Sequence, residues 1–451
     1  MAVILHPAPA GIRYAVALPA SDVARSSGDG KNESSRELDD AGARLMESRL
    51  NKIRHPTYDL GERPFIVIWE VTRACDLACA HCRAAAMPWP DPRELSTEDS
   101  IKFIDQVASF GRPHPLFVLT GGDPMKRSDL MELVSYATER GLPVAFSPSV
   151  TPLLTPEAIV RLKAAGLKAV SLSLDGATAA AHDSFRGFSG TFERTMKIWE
   201  AARDCELKVQ INTTVTRRNL SDLPAMAHAV KSRGALTWSV FFLVPVGRGI
   251  NLAQLSPAEC EDVMNFLYDV GTVVPVKTTE GHHFKRVFIQ RTILDRHGDA
   301  PEEILHLGPT YRALRAALEP WPQIRPGARR TPMDVNAGKG FVFVSHTGAV
   351  CPSGFFPVPV DNIRIRPLPE IYRDNALFRR LRDPSMLLGR CGRCEFQPVC
   401  AGSRSRAYGV TGNGLEEDPL CAYEPGTFPY PQEVAELVES ARPAAFESAR
   451  P

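Results

Sequence analysis

At 451 residues, 44% of them hydrophobic, the chain can build a sizeable core and exceeds any single small module. Its 53 Lys and Arg offset 52 Asp and Glu to a net charge of +1, which excludes partners held by bulk charge, such as a nucleic-acid backbone or an anionic membrane surface. No window approaches the roughly 18 consecutive apolar residues of a membrane span, and ten cysteines, mostly clustered, fit metal ligation in a reducing cytoplasm better than a secreted disulfide scaffold.

Residues 1–62 include SSGDGKNESSRELDD, too polar to bury much surface, and are predicted to form a poorly ordered extension. The opening MAVILHPAPAGIRYAVALPASDVA lacks a charged n-region and is broken by prolines, so it does not read as a secretion signal; Met46 is an alternative start. The globular pattern begins at Pro64. PFIVIWEVT is a buried-strand run that leads into VTRACDLACAHCRAAA, with Cys75, Cys79 and Cys82. Ser96, with Asp99 three residues on, caps a helix whose Ile101, Ile104, Val107 and Ala108 share one face. PLFVLT is the second strand and ends in Thr120-Gly121-Gly122-Asp123-Pro124; SDLMELVSYATERG is a helix stopped by Gly141; PVAFSPS is the third strand. A helix from Thr155 to Gly166 follows, then strands KAVSLSLDG, VQINTTVT and WSVFFLVPVG, each preceded by a helical segment. Six β-then-α units require helical crossovers between parallel strands, so the fold class is α/β, a parallel barrel or sheet. Chemistry in such folds sits at the C-terminal ends of the strands, where the cysteine loop and the GGDP turn fall.

Beyond the sixth strand, KTTEGHHFKR gathers Glu280, His282, His283, Lys285 and Arg286. His282 and His283 are candidate catalytic residues, as a proton donor or an axial ligand to a haem-like iron, with a solvated loop as the alternative. Residues 291–332 read as a helical, Pro-interrupted connector, and FVFVSHTGAVCPSGFFPVPV as a hairpin turning at His346-Thr347-Gly348. That hairpin opens a region, 333–430, whose Cys391, Cys394, Cys400 and Cys421 are spaced C-x2-C-x5-C-x20-C; residues 431–451 form a tail. Cys205 and Cys260 read as small buried hydrophobes.

Three thiolates in one short loop can wrap a compact metal centre. With His81 they complete a tetrahedral zinc site; alternatively they hold three irons of a 4Fe-4S cluster and leave the fourth open to a ligand. The four later cysteines suit zinc or a fully ligated 4Fe-4S cluster. Glycines in the GGDP turn permit close backbone approach to a ligand.

The three-cysteine spacing in the loop after the first strand, with GGDP after the second, resembles the radical S-adenosylmethionine (SAM) superfamily over about residues 64–250. The resemblance implies a partial (β/α)6 TIM-like barrel over residues 63–290 and a SAM-binding 4Fe-4S cluster on Cys75, Cys79 and Cys82. It implies one-electron cleavage of SAM to a 5'-deoxyadenosyl radical, with a low-potential donor such as ferredoxin or flavodoxin. By the same resemblance Gly121, Gly122 and Asp123 meet the SAM amino group, while Ser147, Ser171, Ser173, Asn212 and Thr214 offer polar contacts to the ribose and carboxylate. Arg186 would grip that carboxylate through its bidentate fork, and Val244 to Gly249 would meet the adenine. His81 departs from the family, which carries an aromatic residue there.

The C-terminal region is similar to the SPASM/twitch extension, implying an auxiliary 4Fe-4S cluster on Cys391, Cys394, Cys400 and Cys421. Three of the seven SPASM cysteines are missing, with Ser353 and Arg404 at two of those places, which leaves one auxiliary cluster and Cys351 spare. The one-cluster form resembles the tetrapyrrole branch, the enzymes of haem and haem d1 biosynthesis that remove carboxylate or whole propionate side chains. The implied function is that of a cytoplasmic, oxygen-sensitive oxidoreductase or lyase acting on a tetrapyrrole propionate, with no nucleic-acid or membrane partner. A peptide maturase and a non-catalytic, zinc-stabilised binding protein are the rival readings.

Overall fold

Short runs rich in β-branched and aromatic residues pair in parallel, in chain order: β1 (Ile66–Glu70), β2 (Leu116–Thr120), β3 (Val144–Phe146), β4 (Ala169–Ser173), β5 (Lys208–Val215), β6 (Thr237–Phe242) and β7 (Val276–Thr279). A computed structural model describes residues 53–318 and 329–441, all within the compact unit Glu47–Pro451. Crossovers are made by α1 (Thr97–Ala108), α2 (Leu130–Glu139), α3 (Pro156–Ala164), α4 (Ala179–Arg186), α5 (Thr191–Asp204), α6 (Leu223–Ser232) and α7 (Pro257–Val270). Ser96 caps α1 through its hydroxyl, which accepts from the Asp99 N–H, and Thr155 caps α3 in the same way.

The period-2 pattern sorts the strand side chains into two environments. In β1, Val67 and Trp69 are fully buried beneath the helices, and the Trp69 ring meets Phe103 of α1 edge-on at 5.4 Å. Ile66, Ile68 and Glu70 alternate onto the other face. There the sheet curls on itself, since β7 and Phe341, far apart in strand order, line one cavity.

Two segments differ from the sequence reading. KTTEGHHFKR is not a solvated loop: its first residues are in β7, hydrogen-bonded to β6, and its last open α8 (Phe284–His297), whose Lys285, Arg286, Gln290 and Arg291 are buried. The hairpin β8 (Phe341–Val344) and β9 (Ala349–Cys351), turning at Gly348 with φ +82°, is continuous with the barrel sheet, β8 pairing in parallel with the free edge of β1. A parallel edge left open is a liability, and the hairpin covers it. β10 (Asp361–Asn362) extends β9.

Toward the C-terminus follow α9 (Pro301–Ile304), α10 (Pro309–Ala317), α11 (Leu368–Asp374), α12 (Ala376–Arg382), α13 (Gly389–Arg393), α14 (Arg404–Thr411) and α15 (Pro431–Ser440). The predicted tail therefore contains a helix: Val434 and Val438 of α15 join Ile289 and Ile293 of α8 in a second apolar cluster. Within the predicted extension, Ile53 is buried and Arg54 N–H donates to Pro332 O at 2.8 Å, so its described end packs on the protein. The readings for residues 1–52, including the start at Met46, lie outside the described residues. Among the described residues no helix is long and apolar enough to cross a membrane.

Candidate active site

The loop after β1 carries Cys75, Cys79 and Cys82 as free thiols. It folds back on itself through Cys75 N–H to Met87 O (2.7 Å) and Met87 N–H to Arg73 O (3.1 Å). The loop after β2 closes against it, with Gly122 N–H donating to Thr72 O (2.8 Å) and Asp123 N–H to Ala74 O (2.6 Å). A Cβ on Gly122 would lie 2.5 Å from Ala74 O, so only glycine allows this approach. The loop after β6 does the same: a Cβ on Gly247 would lie 2.5 Å from Cys82 O, and Arg248 Nε donates to Cys79 O at 2.9 Å. Two βα loops thus hold the thiol loop from different sides.

The three thiols open into a cavity of about 810 Å³ that is also lined by Gly121, Gly122, Ser147, Ser173, Arg186, Asn212 and Thr214. Most of the residues that the sequence offers for SAM therefore meet in one space, with exceptions; of the segment 244–249 only Arg248 lines it. Ser171 is not among the lining residues, and the Asp123 carboxylate turns away to accept from Thr151 Oγ1 (2.6 Å) and Met125 N–H (3.1 Å), where burial raises its pKa to about 6. Its role here is to cap the turn.

The same wall holds Ser149 and Asp175, which the sequence reading did not single out, and Arg248, the one residue of the adenine segment 244–249 on the lining. Ser149 Oγ donates to Gly122 O at 2.6 Å and lies 3.4 Å from Cys75 Sγ. Asp175 accepts from Thr214 N–H (2.8 Å) and from Arg186 Nη1 (3.2 Å), so the Arg186 fork is already half engaged. Arg248 is fixed by the carbonyls of Cys79 and Ala86 while its Nη2 has no partner. These residues lie inside PVAFSPS, SLDG and VPVGRG, so their positions at strand ends were the available signal.

His81 packs its ring 4.8 Å from Phe185, with Nε2 3.4 Å from Arg186 Nη1, and burial lowers its pKa to about 4, which keeps it uncharged near neutrality. Burial also raises the Cys75 and Cys79 thiols, so thiolates here call for a bound cation. Unbridged sulfurs on one loop, a glycine cradle and an unpartnered guanidinium nitrogen fit an iron–sulfur cluster with a small polar ligand beside it.

Cys391, Cys394, Cys400 and Cys421 line a second cavity, of about 420 Å³, together with His283 and Arg286. Burial raises the thiols of Cys394, to about 12, and of Cys400 and Cys421. Two guanidiniums face the sulfurs. Arg404 Nη2 lies 3.6 Å from Cys391 Sγ, and Arg286 Nη2 lies 3.9 Å from Cys421 Sγ while Glu261 holds Arg286 through contacts of 2.8 and 2.6 Å. Among the described residues no three His, Cys, Asp or Glu side chains close on a point to hold a single metal ion. The four sulfurs line one cavity, which zinc or a 4Fe-4S cluster could occupy.

His282 and His283 part company. His283 is fully buried against Asp418, Nδ1 to Oδ2 3.5 Å, beside the second cysteine set. His282 faces a third cavity, of about 950 Å³, where burial holds its pKa well below the ordinary value.

The radical SAM superfamily model matches residues 69–230. A protein of Methanosarcina barkeri, an AdoMet-dependent heme synthase, is 40% identical over 365 residues, covering 80% of this chain and 97% of its own. The Fe-coproporphyrin III synthase of the same organism is 31% identical, covering 79% of this chain and 87% of its own. In structure, Streptococcus suis SuiB bound to S-adenosylmethionine superposes with a TM-score of 0.59 at 14% identity, over 87% of this chain and 84% of that one, a likeness of fold.

Proposed function

The chain belongs to the radical SAM superfamily, and on that premise we propose that it is an enzyme that cleaves SAM reductively and removes carboxylate from a propionate side chain of a tetrapyrrole. The observation that carries the reading is the 40% identity over 365 residues of a haem synthase, a match far longer than the barrel segment 69–230. Cys75, Cys79 and Cys82 would hold the cluster, and with SAM beside it the group would supply one-electron cleavage of SAM and hydrogen-atom abstraction.

The chain's own residues do the rest. Gly121 and Gly122 present backbone to the SAM amino group, Arg186 and Asp175 set the polar end of the cavity, and Ser147, Ser173, Asn212 and Thr214 offer bonds to ribose and carboxylate. Arg248 ties the cluster loop to β6, so the loop stays fixed when the sulfonium is cleaved.

Cys391, Cys394, Cys400 and Cys421 would hold an auxiliary 4Fe-4S cluster. The charges of Arg286 and Arg404 beside those sulfurs stabilise added negative charge, which suits the cavity to a group that takes up the electron left when carboxylate departs. His282 is the imidazole among the described residues lining the third cavity, and being uncharged it can ligate the iron of a metallated substrate. The enzyme would work in the cytoplasm with a ferredoxin or flavodoxin as donor.

Anaerobic reconstitution tests the class of chemistry. Two clusters give about eight irons per chain, and SAM with a reductant should yield 5'-deoxyadenosine; Cys75→Ala with Cys79→Ala and Cys82→Ala should abolish that product. Bound zinc with no SAM cleavage would overturn the reading.

A further inference from the structure

The third cavity runs the length of β7, from the starts of β1 and β8 to Glu280 and His282 just beyond that strand. Ile66, Phe284, Met333 and Phe341 make much of its wall apolar. Into the same space reach Arg54, Lys277 and Arg330. Arg54 Nε is bound to Thr331 O (2.9 Å) and Arg330 Nη1 to Thr237 Oγ1 (2.9 Å), both uncharged acceptors. The charges that act on Lys277 are those of Arg330 and Arg54, all of one sign, and with burial they lower its pKa to about 8. Other charged groups on the wall are already engaged: Lys285 by Asp334 (3.8 Å) and Val335 O (3.1 Å), and Glu280 by the hydroxyls of Ser403, Ser405 and Ser353. Three half-buried cations that find no counter-charge among the described residues are costly to an empty protein and become favourable once anions share the space.

We propose that this cavity binds an apolar ligand bearing several carboxylates, with Arg54, Lys277 and Arg330 as the carboxylate partners; on the functional reading above, on which this rests, that ligand is the tetrapyrrole substrate. Guanidinium forks bind carboxylates bidentately, and the lysine adds a point charge between them. The cavity adjoins the SAM space. Thr279 on its wall pairs in register with Phe241, and Phe241 lines the thiol cavity with Phe355, their rings 6.3 Å apart. A macrocycle anchored by some carboxylates at the cationic end turns its remaining side chains toward that aromatic partition and the radical source beyond it.

Binding is measured on the full reconstituted chain, anaerobically and without reductant, by the absorbance of iron coproporphyrin. Lys277→Met and Arg330→Met should each weaken binding about tenfold or more, and Lys277→Arg should restore most of it. Circular dichroism melting confirms that each variant folds. A measurement on the unchanged chain covers the case where they do not: Lys277 should be acetylated by an anhydride in the free protein and protected when iron coproporphyrin is present, whereas exposed Lys102 reacts equally in both. Tight binding that ignores both substitutions and leaves Lys277 reactive would overturn this site and leave the proposed function standing. Failure of the unchanged chain to bind any iron porphyrin would overturn both.

Discussion

His282 and His283 are adjacent in sequence, yet one faces an apolar cavity with unpaired cations and the other the sulfurs of the second cysteine set. Their substitutions should therefore report on different groups. His282→Ala is expected to change the absorption bands and the electron paramagnetic resonance of a bound iron porphyrin, since an imidazole ligand to iron would be lost, while His283→Ala should leave those spectra alone. Identical effects of the two substitutions would contradict the separation. At this scale the sequence was most legible where residue type and spacing carry the chemistry, as at Cys75, Cys79, Cys82 and the GGDP turn. It was least legible where a side chain acts through a non-local neighbour. Nothing in the spacing says that Ser149 meets Cys75 and Gly122, that Asp175 engages Arg186, or that Arg404, at the place of a missing thiol, turns its guanidinium to Cys391.

Among the elements, two βα loops, those after β2 and β6, grip the thiol loop, and the grip depends on backbone contacts too close for any side chain. Gly122→Ala places a methyl 2.5 Å from Ala74 O and 2.6 Å from Arg73 O, so one backbone has to move. An overpacked site of this kind costs about 1–3 kcal/mol, and the shift falls between Arg73 and Cys75. The substitution should lower both the melting temperature and the iron retained on the first cysteine set, measured by iron content and visible absorbance, and full iron retention would show that the loop is held otherwise. Strands β1 to β6 and the hairpin turn at Gly348 were readable from alternation and turn residues. β7 was not. Its VKTT has one apolar residue, because Lys277, Thr278 and Thr279 help line the third cavity, so it reads as loop. The union of β8 with β1 was also invisible, since partners so distant in sequence leave no local trace.

For the whole molecule, a curled parallel sheet places the thiol cavity at the C-terminal ends of the strands and a cationic, apolar-walled cavity along β7, with Phe241 and Phe355 lining the thiol cavity beside it. The auxiliary cysteines lie against α8, the helix whose start borders the second of these cavities. On the proposed reading one chain would bring a radical source, a substrate chamber and an electron-accepting site within reach of one another. The most direct measurement is the mass of the porphyrin recovered after anaerobic incubation of the reconstituted enzyme with SAM, a reductant and iron coproporphyrin, beside parallel incubations with linear peptides. The account expects the porphyrin to lose the mass of carbon dioxide and hydrogen from its propionates, with 5'-deoxyadenosine formed in step and the peptides unchanged. An unaltered porphyrin together with a modified peptide would contradict it.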